Sequence, residues 1–315
     1  MAEKKALVTG GAGFIGSHIA DALIQRGYKV AIIDNLSSGK EQNLPPDATF
    51  YKTDIRDDEV AGIFQEERPL ALFHLAAQMD VRKSVEDPAY DADVNVGGTI
   101  NLLEAGRQAG LQKTIYAATG GAMYGEPKHL PADEGTPIEP ICPYGVSKAT
   151  VEHYLALYRR LYGMSFTSLR FPNVYGPRQD PHGEAGVVAI FSQIMLQGGQ
   201  PRIFGDGTST RDYVYVGDIV EANMLALKAG DGQRLNLGWG EEVPVQRIFD
   251  GVRDAVGCEI EPEYAEERLG EVDRICLDAS KAAERLGWKP QVTLDEGLNR
   301  AVEFYRRLNE GEITR

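Results

Sequence analysis

The sequence predicts an α/β fold, a doubly wound parallel sheet followed by a smaller mixed α/β lobe that would bind substrate. Three observations carry the prediction. Apolar strand-like runs alternate with helical stretches through the first half, a glycine-rich turn closes the first strand, and after about Pro172 the rhythm shortens into segments rich in Gly, Pro and Asp.

Ala6-Leu7-Val8 begins an apolar run that meets Gly10, and from Phe14 to Arg26 apolar residues return at helical spacing. Strand-like runs follow from Tyr28 to Ile33, ending on Asp34, from Thr49 to Thr53, ending on Asp54, and from Leu70 to Leu75, ending near Ala76-Ala77. Helical patterns from Asp91 to Gln108 and from Tyr144 to Tyr162 flank the run Thr114 to Ala118, and Phe166 to Phe171 supplies one more strand. Right-handed crossovers then place helices on both faces of a parallel sheet, with ligands at the carboxyl ends of its strands. Later helical segments stand near Val187 to Leu196, Asp218 to Leu227 and Pro244 to Val256. The expected division is 1–172 for the sheet domain and 173–315 for mainly the smaller lobe. No Pro/Ser/Gly linker separates them, so the chain should cross between the two.

Composition excludes more than it selects. With 47 acidic and 33 basic residues the 315-residue chain has a formal net charge of -14, which argues against a surface built for nucleic acid or anionic lipid. An anionic ligand must instead be met by individual arginines. Cys142, Cys258 and Cys276 are widely spaced, with no metal-ligand grouping, as suits a reducing compartment. Met1 to Lys5 lacks signal-peptide organisation, and no apolar run reaches the ~18 residues of a membrane span. A soluble, cytoplasmic protein that holds no metal and engages neither membrane nor nucleic acid is expected.

The segment Thr9-Gly10-Gly11-Ala12-Gly13-Phe14-Ile15-Gly16 falls where a strand ends and a helix begins, the context that gives a glycine motif its meaning. Gly10 permits the tight turn, Gly13 lets a pyrophosphate approach the backbone, and Gly16 lets the helix lie close to the sheet. The first-turn amides, Phe14 and Ile15 among them, favour negative charge. Asp34 ends the second strand, where a carboxylate accepts hydrogen bonds from a ribose and repels a 2′-phosphate, so the expected cofactor is NAD.

Tyr144-Gly145-Val146-Ser147-Lys148 opens a helix with a phenol and an ammonium one turn apart on one face. For a tyrosine to act as a base near neutrality its ionisation must become easier by roughly 4 kcal/mol. One positive charge at ~5 Å and an effective dielectric of ~20 supplies roughly 3 kcal/mol, so Lys148 and a positive nicotinamide ring would do it together.

These residues resemble the extended short-chain dehydrogenase/reductase family. Further motifs resemble its UDP-glucose (UDP-galactose) 4-epimerase branch over nearly the whole chain. They are Asp34-Asn35-Leu36-Ser37-Ser38-Gly39, Asp54-Ile55, His74-Leu75-Ala76-Ala77, Asn95-Val96-Gly97-Gly98-Thr99, Tyr124-Gly125, Asn173-Val174-Tyr175-Gly176-Pro177-Arg178 and Arg211-Asp212-Tyr213-Val214. The resemblance implies a Rossmann-type NAD domain in which Asp34, Asn35, Asp54 and Ile55 hold adenosine. Ala76, Ala77, Asn95, Tyr144 and Lys148 would line the rest of the dinucleotide path. Asn173, Phe204, Arg211 and Arg268 would hold the nucleoside diphosphate of a UDP-sugar, the phenylalanine against the base and the arginines on phosphate. Ile275, counted from Arg268 and Asp278-Ala279-Ser280-Lys281, would stand at the family's sugar-pocket wall. A homodimer and a tightly retained NAD are also implied. So is a mechanism in which Tyr144 deprotonates the sugar 4-hydroxyl as C4 is oxidised, the 4-keto sugar rotates, and hydride returns to its other face.

The chain departs from the pattern before Tyr124-Gly125, where many relatives carry a run of serines and this one has Ala117-Ala118-Thr119-Gly120-Gly121-Ala122-Met123. Thr119, the only hydroxyl there, is assigned the hydrogen bond to the sugar 4-oxygen, although ungapped counting puts Gly120 at that slot. Related dehydratases carry an Asp-Glu pair where Gly121 and Ala122 stand, so elimination lacks its acid and base. Other nucleotide-sugar epimerases, acting on a UDP-uronic acid or at C2 of a CDP-sugar, and a non-catalytic NAD-binding sensor stay open as alternatives.

Overall fold

The computed structural model describes residues 4–182, 186–266 and 272–315. In chain order its strands are β1 (Lys5–Thr9), β2 (Lys29–Ile33), β3 (Thr49–Tyr51), β4 (Ala71–His74), β5 (Lys113–Thr119), β6 (Ser165–Phe171) and β7 (Asn173–Tyr175). Six shorter ones follow, β8 (Arg202–Phe204), β9 (Thr210–Arg211), β10 (Tyr213–Tyr215), β11 (Gln233–Asn236), β12 (Val243–Pro244) and β13 (Glu263–Ala265). The helices of the first half are α1 (Phe14–Gln25), α2 (Glu59–Glu67), α3 (Val81–Glu86), α4 (Pro88–Ala92), α5 (Gly98–Ala109), α6 (Gly120–Met123) and α7 (Pro143–Tyr162). Those of the second are α8 (Val187–Leu196), α9 (Val216–Ala226), α10 (Val245–Val256), α11 (Ser280–Leu286) and α12 (Leu294–Asn309).

Seven strands form one parallel sheet in the order β11-β6-β5-β4-β1-β2-β3, which is the doubly wound arrangement expected. Their apolar runs are continuous because both faces are buried. Ala6 and Val8 of β1, Val30 and Ile32 of β2, and Phe73 of β4 enter one core under α1 and α9. The alternate residues Leu7, Ala31, Ile33 and Leu72 enter a second core under α2, α5 and α7. A third core, around Phe191, Phe249, Val252 and Leu298, joins α8, α10 and α12 in the second half. β11 crosses back from that half to pair with β6, Leu235 opposite Leu169.

The single helix expected over Asp91 to Gln108 is interrupted. α4 and α5 are separated by a π-helical turn, Asp93–Gly97, whose wider winding turns Asn95 inward to 3% exposure. No helix among the described residues is long and apolar enough to cross a membrane.

Candidate active site

The glycine turn is held by contacts that only glycine permits. Gly10 has φ +70°, and a Cβ on it would meet Ala76 N at 2.8 Å. A Cβ on Gly16 would overlap Gly10 O, so α1 starts pressed against the turn. Gly13 is the N-cap, with no side-chain cap and no acidic residue in the first turn, which leaves the opening amides of Phe14 and Ile15 suited to an anion. Beside them Asp34 Oδ2 accepts from Ala12 N (2.9 Å) and Oδ1 from Leu36 N (2.8 Å), so each oxygen keeps acceptor capacity for a diol. Burial raises its carboxyl above the ordinary value, and the two backbone hydrogen bonds oppose the rise. Asn35 donates to Asp54 Oδ2 (2.8 Å), and Arg56 grips both oxygens of Asp54 (2.9 and 3.0 Å), holding its carboxyl down to about 2. Ile55 is buried under Gly98.

Under this cradle lies a buried chain of hydrogen bonds. Thr99 Oγ1 donates to Asn95 O (2.5 Å), so it accepts from His74 Nε2–H (2.8 Å), and His74 Nδ1 accepts from Thr9 Oγ1 (2.8 Å). Thr9 Oγ1 in turn accepts from Leu75 N and Ala76 N (3.2 and 3.3 Å), which fixes the Ala76-Ala77 corner. Burial, and then the charge of Lys148, lowers His74 to about 3, so it stays neutral and keeps this tautomer. Asn95 spends its side chain inside the protein, donating to Gln78 O, Asp91 Oδ1 and Ser147 Oγ and accepting from Gln78 N (2.8 Å). It braces the loop that follows Ala77 against α7. Gln78, Asp91 and Ser147 escaped sequence reasoning, because a buried polar residue in a loop or helix leaves no periodic trace. Ser147 alone carried a signal, its place between Tyr144 and Lys148.

α7 is capped by Cys142, whose thiol burial pushes up. Its first turn abuts α6, since a Cβ on Gly145 would overlap Ala122 O. Tyr144 therefore stands beside the Thr119–Ala122 segment. Lys148 Nζ donates to Ala117 O (2.8 Å) and lies 4.8 Å from the Tyr116 ring and 5.9 Å from that of Tyr144. Burial lowers Lys148 to about 8 and raises the Tyr144 phenol well above its ordinary value. The chain by itself does not make Tyr144 a base, in keeping with the arithmetic that asks for a second positive charge.

Thr119 ends β5, and its hydroxyl has no hydrogen-bond partner among the described residues. A Cβ on Gly120 would overlap Leu277 Cδ1, so the slot reached by ungapped counting is filled by leucine packing and has no room for a hydroxyl. Next to Thr119, Gly121, Pro172, Asn173, Asp212, Ile275 and Leu277 line a narrow cleft. Asn173 begins β7, and Ile275, 2% exposed, packs with Tyr124, Ala132 and Val272 and lines the cleft together with Asn173 and Gly121. The cleft is held by Asp212, whose carboxylate accepts from Trp239 N, Gly240 N and Leu277 N (3.0, 3.0 and 3.2 Å) and whose carbonyl accepts from Asn173 N (2.9 Å). Burial raises its carboxyl to about 6, against those backbone bonds. The Arg211-Asp212-Tyr213-Val214 motif carried this residue without revealing its task. Arg211 itself donates to Thr210 O and Asp273 O (2.9 and 3.0 Å). Phe204, at the end of β8, is 37% exposed. Arg268 lies outside the described residues. Among the described residues, no group of three His, Cys, Asp or Glu side chains could hold a metal ion.

Comparison with known proteins agrees with the fold and the family resemblance. The family model described as GDP-mannose 4,6 dehydratase matches residues 7–301. The UDP-glucose 4-epimerase of Mycolicibacterium smegmatis is 47% identical over 312 residues, covering 97% of this chain and 100% of its own. The crystal structure of the UDP-glucose 4-epimerase of Thermotoga maritima with UDP-glucose is 50% identical with a TM-score of 0.95, covering 97% of this chain and 99% of that one. The UDP-glucose 4-epimerase of Thermus thermophilus in complex with NAD is 47% identical with a TM-score of 0.91, covering 96% and 99%. The chain belongs to the extended short-chain dehydrogenase/reductase family, matched here by the GDP-mannose 4,6 dehydratase model over its Rossmann-type sheet, its glycine turn and its Tyr144–Lys148 helix.

Proposed function

We propose that the chain is an NAD-dependent UDP-sugar 4-epimerase that interconverts UDP-glucose and UDP-galactose. The observation that carries the reading is the set Tyr144, Lys148 and Thr119 beside the Gly121-Ala122 turn, which brings no ionisable group. A proton can be taken and returned at the sugar 4-oxygen, while the two positions at which the related dehydratases carry their acid and base for elimination hold neither. The relatives from Mycolicibacterium smegmatis and Thermotoga maritima named UDP-glucose 4-epimerase, at 47% and 50% identity over nearly the full length, support the same reaction.

The cradle fits a dinucleotide. The uncapped start of α1, with Gly10, Gly13 and Gly16 behind it, suits the pyrophosphate, and Asp34 suits the adenosine ribose, with Asn35, Asp54 and Ile55 forming the adenine side. Bound NAD supplies a reversible hydride acceptor for C4. Tyr144 takes the 4-hydroxyl proton and gives it back, Lys148 holds positive charge beside the phenol, and Thr119 donates a hydrogen bond to the 4-oxygen. Ala76, Ala77 and the loop braced by Asn95 exclude water from the same side. Asn173, Phe204, Arg211 and Arg268 hold the nucleoside diphosphate, and Ile275 walls the sugar.

The domain division at 172/173 belongs to this proposal, the first part serving the cofactor and the second mainly the nucleotide-sugar. So does a homodimer, supported by Val146, Leu157 and Leu161 on the outer face of α7, each more than 40% exposed. A cytoplasmic setting accords with three free cysteines, two of them buried. The test is incubation with UDP-glucose, UDP-galactose, UDP-glucuronate and CDP-sugars, with product configuration read by NMR. Inversion at C4 of the UDP-hexoses is expected, and loss of water or inversion elsewhere would sink the reading.

A further inference from the structure

Glycines in this site differ in why they are glycine. Gly120 is required by Leu277, which leaves no room for a Cβ. Among the described residues nothing requires a glycine at position 121. It lies in the helical turn α6, outside the positive-φ region, where alanine forms helix better than glycine. A Cβ there would find ordinary contacts only, Asn173 Oδ1 at 3.7 Å and Thr119 Oγ1 at 3.8 Å. A methyl there would stand between Thr119 and Asn173, and Gly121, Asn173 and Ile275 line the same crevice.

We infer that Gly121 is a specificity-determining residue, its missing side chain reserving room for the hydroxymethyl group on C5 of the sugar. The inference rests on the epimerase reading. With Thr119 on the 4-oxygen, a methyl at Gly121 falls beside the substituents of the carbons flanking C4. Presenting the opposite ring face while the diphosphate stays anchored turns the ring about its C1–C4 line, which exchanges the C3 and C5 edges. The same space must then accept a hydroxyl in one orientation and a hydroxymethyl in the other. A narrower space would hold one epimer and stall the exchange.

The experiment compares UDP-glucose with UDP-xylose, whose C5 bears only hydrogens, in the wild type, Gly121→Ala and Gly121→Val. Turnover of UDP-glucose should fall about tenfold or more in Gly121→Ala, and further in Gly121→Val, while UDP-xylose changes by less than about twofold. The melting temperature and UDP affinity of Gly121→Ala should be no lower than wild type. An unchanged hexose-to-pentose ratio, equal losses on both sugars or a lowered melting temperature would overturn the inference. So would a wild type inert toward UDP-xylose, for which the hydroxymethyl would be required and not merely accommodated. A wild type that epimerises neither sugar would overturn the reaction assignment and this inference with it.

Discussion

At the scale of single residues, Tyr144 and Lys148 are set against each other by burial. The phenol is held protonated and the ammonium is lowered from its ordinary 10.5 to about 8, so the positive charge the phenol needs is lost as pH rises through about 8. The ratio kcat/KM should therefore decline above pH about 8. Stability should move the other way. The unfolded chain keeps the Lys148 proton up to about 10.5, so between about 8 and 10 it binds more protons than the native state, and this group's contribution to stability rises with pH. Activity and thermal melts measured across that window separate loss of charge from unfolding, and a kcat/KM flat to pH 10 would show that Lys148 keeps its proton in the working site. The pairing of Tyr144 with Lys148 was legible from their spacing together with their place after the glycine turn and an intervening apolar strand. The depressed lysine was not, because burial depends on Tyr116 and the sheet behind it.

At the scale of elements, the central strands were legible because both faces of the sheet are buried and leave unbroken apolar runs, as in Ala6-Leu7-Val8. The strands β8, β9, β12 and β13 were not, being two or three residues long and formed only by pairing with a partner elsewhere in the chain. The π turn was hidden for a like reason, since one extra residue in a helix does not disturb apolar periodicity enough to be seen. Between α7 and β6 stands a buried ion pair that periodicity also conceals. Arg170 donates to both oxygens of Glu152 (3.0 and 2.7 Å) and to Tyr124 Oη (2.6 Å), with both charged side chains 4% exposed. Arg170→Leu leaves Glu152 with Ser168 and Arg234, and should cost about 3 kcal/mol of stability in denaturant melts. The double substitution with Glu152→Leu should recover much of it, because removing both charges also removes their desolvation cost. A single variant as stable as wild type would show the pair to be replaceable, and a double variant worse than either single would show that its value lies in holding Tyr124 behind the cleft.

At the scale of the molecule, two chains each of formal charge -14 repel one another, so the proposed homodimer must be held by something other than charge. The outer face of α7 offers that. Val146 and Leu157 are three turns apart and Leu161 lies one turn further, with exposures of 51%, 43% and 57% that water alone does not favour. An apolar seam between like-charged bodies has a distinctive response to salt. Screening shortens from ~10 Å at 0.1 M to ~3 Å at 1 M, which weakens the repulsion and leaves apolar burial intact. Dimerisation, followed by sedimentation velocity, should therefore tighten as salt is added. The pair Leu157→Glu and Leu161→Glu puts charge into the seam and should yield monomers at every salt concentration while circular dichroism stays native. The seam would be refuted by a variant as dimeric as wild type, and a dimer that salt dissociates would mean that ion pairs, not this apolar face, join the subunits.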